Sequence, residues 1–293
     1  MISENNICYD TICLSGGGLS GFCFIGALKY LDDNKYINLI SINTYVGTSV
    51  GAIIAFLLAI KYSICEIYNF LLIFNFNVLE PDNIINNLFE KNGFDDGNKY
   101  IFIFKNFLKN KYNIEDITFN ELYNLTGHKL IIIGTNYSKG IEEVFSYTHT
   151  PNMSVIVAVR ISMSIPIIFT PVLYNSNYYI DGGVVNNFPI NYCNSKSTLG
   201  LCININQESS NKLNLIEILN NVINILVYSK NTTKNTNVIY INKINNSSID
   251  YNITYEEKIK LINHGETTAS KFINNFKNNL DKSIFIDKFI QTD

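Results

Sequence analysis

Apolar runs a few residues long take turns along the chain with longer stretches in which apolar residues recur at helical spacing. Thr11 to Ser15 is an unbroken apolar segment and reads as a strand. Gly21 to Leu31 has the helical period, and Leu39 to Gly47 reads as a second strand. Ser49 to about Tyr62 is apolar on nearly every side, the pattern of a helix buried in a protein layer, and a second helix follows to about Phe76. Pro81 to Tyr123 is mostly helical, with breaks at Gly93 and Gly97. Lys129 to Tyr137 (KLIIIGTNY) is a continuous apolar strand, and Glu142 to Tyr147 pairs with it after a turn at Lys139-Gly140. Ser154 to Ser162 is a short helix stopped by Pro166. Leu173 to Gly183 is a hairpin with its tip at Asn175 to Asn177. A strand at Leu199 to Asn206, an amphipathic helix at Leu213 to Ser229, a strand at Val238 to Ile244 and a polar helical tail from Tyr255 complete the series. Asn242 to Asn252 is read as a surface loop. Strands apolar on both faces and separated by helices predict an α/β fold: three layers, α/β/α, around a mostly parallel sheet. The expected organisation is one domain over residues 1–293. Its motifs fall within 12–206, residues 80–125 form a helical insertion or lid, and 207–293 supply a C-terminal helix, strand and tail.

Composition narrows the classes of partner. With 47% hydrophobic residues, 16% charged and a net charge of -3, the chain has no global field for nucleic acid. Arg160 is its sole arginine, so the usual bidentate reader of guanine and phosphate is nearly missing. The cysteines (Cys8, Cys13, Cys23, Cys65, Cys193, Cys202) form no C-x-x-C pair and read as small buried hydrophobes, with neither a metal nor a disulfide framework. The start, MISENNICYDTICLS, lacks the basic-then-apolar order of a secretory signal, and the longest apolar run, Val50 to Ile60, is too short to span a bilayer. A cytoplasmic protein, possible contact with membrane surfaces aside, is expected.

Two glycine-rich turns carry the chemistry. Gly16, Gly18 and Gly21 in SGGGLSG fit G-x-G-x-x-G, but a dinucleotide site also wants an acid about 20 residues on, at the end of the second strand. That strand ends NTYVGTSVGAI, with no carboxylate; Asp32 and Asp33 fall earlier. What stands there is G-x-S-x-G, Gly47 to Gly51, with Ser49 where a strand turns sharply into a helix. Such a turn exposes a serine for nucleophilic attack. Among the histidines, His128 and His149 read as turn and loop residues, and His264 alone falls in the α/β-hydrolase order Ser, acid, His. The other candidate base is Asp181 in YYIDGGVVNNFP. If its turn aims the carboxylate at Ser49, a two-residue site results, and the N–H groups of Gly16, Gly17 and Gly18 stabilise an oxyanion and hold no resident phosphate.

Taken together and in this order, SGGGLSGFCFIGAL, GTSVGAI, SMSIPIIFTPV, YIDGGVVNNFPI and LGLCIN resemble the patatin-like phospholipase family over about Ile12 to Asn206. The resemblance implies the three-layer fold, a Ser-Asp dyad working without histidine, metal or cofactor, and hydrolysis of acyl esters of glycerophospholipids or related lipids. It assigns Ser49 as nucleophile, Asp181 as base and Gly16 to Gly18 as the oxyanion loop, with Gly21, Gly47, Gly51, Gly182 and Gly183 as motif support. Many members carry Arg or Lys before the last glycine of the first motif; here the residue is Ser20, which gives neutral acyl esters more weight as substrates beside phospholipids. A catalytically silent lipid-binding or interaction module on the same fold is the alternative. Lys99 to Tyr112 mixes aromatic residues with lysines and reads either as a segment lying on a membrane or as a core helix with a solvated lysine edge.

Overall fold

A computed structural model describes residues 9–204, 237–244 and 250–290. In chain order the elements are β1 (Thr11–Leu14), α1 (Gly21–Asp33), β2 (Thr44–Gly47), α2 (Val50–Ala59), α3 (Ile64–Ile73), α4 (Ile84–Lys91), β3 (Gly93–Asp95), α5 (Asn98–Tyr112) and α6 (Phe119–Thr126). They continue with β4 (Lys129–Asn136), β5 (Ile141–Ser146), α7 (Val155–Ser162), β6 (Ile167–Phe169), β7 (Val172–Tyr174), β8 (Asn177–Asp181) and α8 (Gly183–Asn186). The last are β9 (Thr198–Asn204), β10 (Val238–Asn242) and α9 (Tyr255–Ile290). Helix starts follow local chemistry. Ser63 with Glu66, and Thr118 with Glu121, form reciprocal capping boxes ahead of α3 and α6. The Ser154 hydroxyl accepts from Val157 N–H at the start of α7.

The main sheet has 8 strands in the order β10-β9-β1-β2-β4-β8-β7, with β5 also paired to β4. From β10 through β4 the pairing is parallel; β5, β8 and β7 join antiparallel. Successive side chains on each strand serve opposite faces. Ile12, Leu14, Tyr45, Leu130, Leu199 and Leu201 enter the large core, where the helices pack. Cys13, Val46, Ile131 and Cys202 face the other way, onto Phe188 and Ile190. The result is a mostly parallel central sheet flanked by helices, as the alternation of strands and helices implies. Its second, two-stranded sheet pairs β3 with β6.

Three sequence expectations differ from what forms. The strand read over Leu39 to Gly47 is confined to Thr44–Gly47. Leu39–Ser41 is a 3-10 turn capped by the Asn38 side chain, the Ser41 hydroxyl donates back to Asn38, and Ile40 is 94% exposed, so local polar bonding wins over the apolar run. The helical stretch from Pro81 breaks at Gly93 and Gly97 as expected, but the break holds an unforeseen strand, β3, in which Gly93 lies directly against the backbone of Phe169 and Thr170, where no side chain fits. Of the cysteines, Cys13, Cys23 and Cys202 are buried as expected, but Cys65 is exposed. The helix expected over Leu213 to Ser229 lies outside the described residues, as does part of the loop expected over Asn242 to Asn252.

Candidate active site

β2 runs parallel to β4 with Gly47 opposite Ile132, and β8 runs antiparallel to β4 with Asp181 opposite Gly134. β2 and β8 therefore approach each other head-on along one edge of β4. Their ends are separated by two positions of that strand, about 7 Å. Ser49, just past the end of β2, and Asp181, at the end of β8, meet across the gap. The Ser49 hydroxyl donates to Asp181 Oδ2 at 2.7 Å, although the two residues are 132 apart in sequence.

The backbone of Ser49 is strained, with φ 56° and ψ -126°, a conformation that a non-glycine residue holds only when its surroundings enforce it. Two contacts do so. Ser49 N–H donates to Ser162 Oγ at 2.9 Å, and the same hydroxyl donates onward to Ile133 O at 2.6 Å. On the other side, Gly51 lies against the carbonyls of Leu14 and Ser15, so closely that any Cβ would strike them; this lets α2 start immediately beside β1. Gly47 in turn lies against the backbone of Gly51, and Gly21 against the side chain of Val50.

Asp181 is 3% exposed. Besides the serine, its carboxylate accepts Gly183 N–H at 2.7 Å through Oδ1, while its own N–H donates to Ser164 O at 2.8 Å. Gly182 packs on the Ile133 carbonyl, where a side chain would clash. Burial penalises the charged form and pushes the Asp181 pKa up to about 7; the Ser49 and Gly183 hydrogen bonds pull the other way.

The first glycine loop lies beside this pair. Gly16 N–H is taken by the Asn187 carbonyl at 3.0 Å, whereas the N–H groups of Gly17 and Gly18 make no hydrogen bond among the described residues. Gly18 has φ 55°, the left-handed region that favours glycine. A Cβ on Gly16 would collide with Asn187 Oδ1 and lie 3.1 Å from Ser49 Cβ, so the loop, the amide and the serine share one small space.

The histidines stand elsewhere. His128 Nδ1 is bonded to Ala59 O, His149 to Ser146 and Thr148 within its own turn, and His264 Nε2 to Asn242 O. None is bonded to Ser49 or Asp181. Among the described residues no group of His, Cys, Asp and Glu is arranged to hold a metal ion.

A family model for patatin-like phospholipases matches residues 12–193. The chain belongs to that family. It is 33% identical to "Probable lipid hydrolase 463L" of Invertebrate iridescent virus 6, over 89% of this chain and 88% of that protein. It is 35% identical to "Uncharacterized protein R571" of Acanthamoeba polyphaga mimivirus, over 86% and 84% of the two chains. Its fold is similar to that of VipD from Legionella pneumophila, with a TM-score of 0.60 at 16% identity, covering 91% of this chain and 67% of the other.

In this patatin-like chain the serine opens onto an apolar cavity of about 170 Å³, lined by Leu19, Ile53, Leu57, Phe104, Met163 and Phe169 among others, with Gly18 and Ser49 at its polar end. Apolar cavities of roughly 150 Å³ stay dry and accept hydrocarbon guests. Arg160 takes no part in it. The guanidinium is buried, donating to the carbonyls of Asp96 and Thr170 at 3.0 and 3.1 Å, and burial lowers its pKa to about 10. At the position where many family members carry a cation, Ser20 is buried, and its hydroxyl has no partner among the described residues.

Two residues of the site were not given roles by sequence reasoning. Ser162 opens the SMSIPIIFTPV segment, but only the fold shows that its hydroxyl bridges Ser49 and β4. Asn187 stands in the NNFP segment after α8. It is 3% exposed, with Oδ1 and Nδ2 both lacking a partner among the described residues. A buried amide left open on both ends beside a serine is the signal that marks it.

Proposed function

We propose that the protein is a lipid acyl hydrolase in which Ser49 is the nucleophile and Asp181 the general base. The observation that carries this reading is the 2.7 Å hydrogen bond to the buried Asp181 carboxylate from the hydroxyl of Ser49, a residue that lines an apolar cavity. Asp181 takes the Ser49 proton as Oγ bonds to the acyl carbonyl carbon. The carbonyl oxygen becomes an oxyanion facing the open N–H groups of Gly17 and Gly18, with the Asn187 amide beside them as a further donor. Collapse of this intermediate breaks the ester C–O bond, and the proton on Asp181 passes to the departing alcohol. Water then attacks the acyl-serine, giving up its proton to Asp181, and the fatty acid leaves with Ser49 restored. The cavity takes the acyl chain. Its walls offer no cation to a phosphate, and Ser20 supplies none, so recognition runs through the chain and the ester. Phospholipids and neutral acylglycerols both satisfy that requirement.

A serine-reactive fluorophosphonate should label the wild type and leave Ser49→Ala unlabelled at unchanged circular dichroism. In a mixed lipid extract followed by mass spectrometry, only the wild type should consume acyl lipids. Lipid consumption that survives in Ser49→Ala would overturn the assignment. A wild type that neither labels nor consumes lipid would instead identify a silent binding module.

A further inference from the structure

The exposed large apolar residues are not spread evenly. Ile40, Leu125, Ile141 and Leu173 are scattered, whereas Ile73, Val78, Ile84, Ile85, Phe89 and Phe102 all fall between the end of α3 and the first turns of α5. α4 has no buried residue at all. Ile85 and Phe89, one turn apart on it, are 71% and 80% exposed, so a helix with an apolar stripe leaves that stripe without protein cover. The same stretch is tied together on its polar side. Lys99 donates to Glu80 O and pairs with Asp82, which joins the approach to α4 to the start of α5. Asn87 donates to Asp82 O and Phe94 O, holding α4 against β3.

Next to this face, a groove lined by Val78, Lys99 and Phe102 runs inward. Phe70, Phe74, Leu79, Ile103 and Phe107 line both this groove and the cavity that ends at Ser49. The groove that carries the exposed Val78 and Phe102 therefore shares an apolar wall with the cavity of the nucleophilic serine. Four lysines of the region pair with acids, Lys91 with Asp96, Lys99 with Asp82, Lys109 with Glu115 and Lys111 with Glu66, while Lys105 is in none of these pairs. The face offers hydrocarbon with locally balanced charge.

We infer that the face formed by the end of α3, α4 and the start of α5 is the surface on which the protein seats itself on a lipid bilayer, by inserting apolar side chains and without selecting for anionic lipid. The inference rests on the acyl-ester reading of the Ser49 site for its occupant: a groove that shares its apolar wall with an acyl cavity fits hydrocarbon chains, which a polar peptide does not supply. Interfacial helices bind through buried apolar area plus attraction of basic residues to anionic headgroups; here the second contribution is largely neutralised by the paired acids.

The test is flotation of the full chain with phosphatidylcholine vesicles, with and without phosphatidylserine, at low and high salt. Wild type should float on both compositions to within about twofold, with little change when salt is raised enough to screen surface charges. The double variant Ile85→Ser/Phe89→Ser should lose at least about tenfold in bound fraction while keeping the wild-type melting temperature, since both side chains are exposed. It should also still hydrolyse a soluble short-chain ester. Ser49→Ala should float like wild type, which separates seating from chemistry: if the wild type floats yet consumes no lipid, the surface stands and the hydrolase reading falls. Equal flotation of wild type and double variant, binding only to anionic vesicles, or no flotation together with a concentration-dependent dimer that the double variant abolishes, would each overturn the inference.

Discussion

Asp181 shows how burial makes a base. An ordinary aspartate titrates near ~3.9, too low to draw a proton from a hydroxyl with any efficiency. Enclosed at the end of β8, it is pushed to about 7. Its role requires the deprotonated form, so kcat/KM on a soluble ester should fall about tenfold per unit as pH drops below 7. Stability has the opposite sign. Because the folded-state pKa lies above the unfolded one, the fold prefers the neutral acid; that preference is fully present below about 3.9 and is lost as pH rises through 7. Asp181→Asn should therefore melt close to wild type at pH 4 and above it at pH 8, by at most roughly 4 kcal/mol of stability. Calorimetry across that range checks it, and identical melting curves at both ends would mean the carboxyl is not perturbed.

At the scale of elements, the serine is held by α7 as much as by its own turn. The Ser162 hydroxyl bridges Ser49 N–H and Ile133 O, so Ser162→Ala should leave two buried backbone groups without their partner, costing about 2 kcal/mol. The expected result is a melting temperature several degrees lower, together with slower fluorophosphonate labelling of Ser49. Unchanged labelling would show that the strained turn holds itself. Elements of this kind were legible in the sequence where glycine meets an apolar run. SGGGLSG and GTSVGAI announced loops at β1–α1 and β2–α2, and IDGG marked the end of β8. Less legible was anything set by partners distant along the chain. Nothing in LISINTYVG reveals that Asn38 and Ser41 divert its first half into a turn. Nor does SMSIP show where the Ser162 hydroxyl points, or NNFP that the Asn187 side chain beside Gly16 has no partner among the described residues. The first rests on short-range side-chain bonding that competes with the apolar run, and the other two on which strands and loops come together across the sheet, which no local pattern encodes.

For the whole molecule, the cavity at Ser49 and the groove beside the exposed face share the apolar wall of Phe70, Phe74, Leu79, Ile103 and Phe107. Filling the cavity part-way should reveal its use. Ile53→Trp, on the cavity wall, should reduce hydrolysis of long-chain p-nitrophenyl esters by about tenfold or more while leaving the butyrate ester within about twofold. Equal losses on both would mean that acyl chains do not enter there. No helix among the described residues is long and apolar enough to cross a membrane. The head-on approach of β2 and β8 along β4 has a wider consequence. The spacing of hydroxyl and carboxylate is measured out by rungs on one carrier strand, as on a ruler. Connections between the two groups can lengthen or be exchanged without disturbing that spacing, whereas dropping the single residue between Ile132 and Gly134 would drive the two strand ends together by about 3.3 Å and destroy the alignment of hydroxyl and carboxylate.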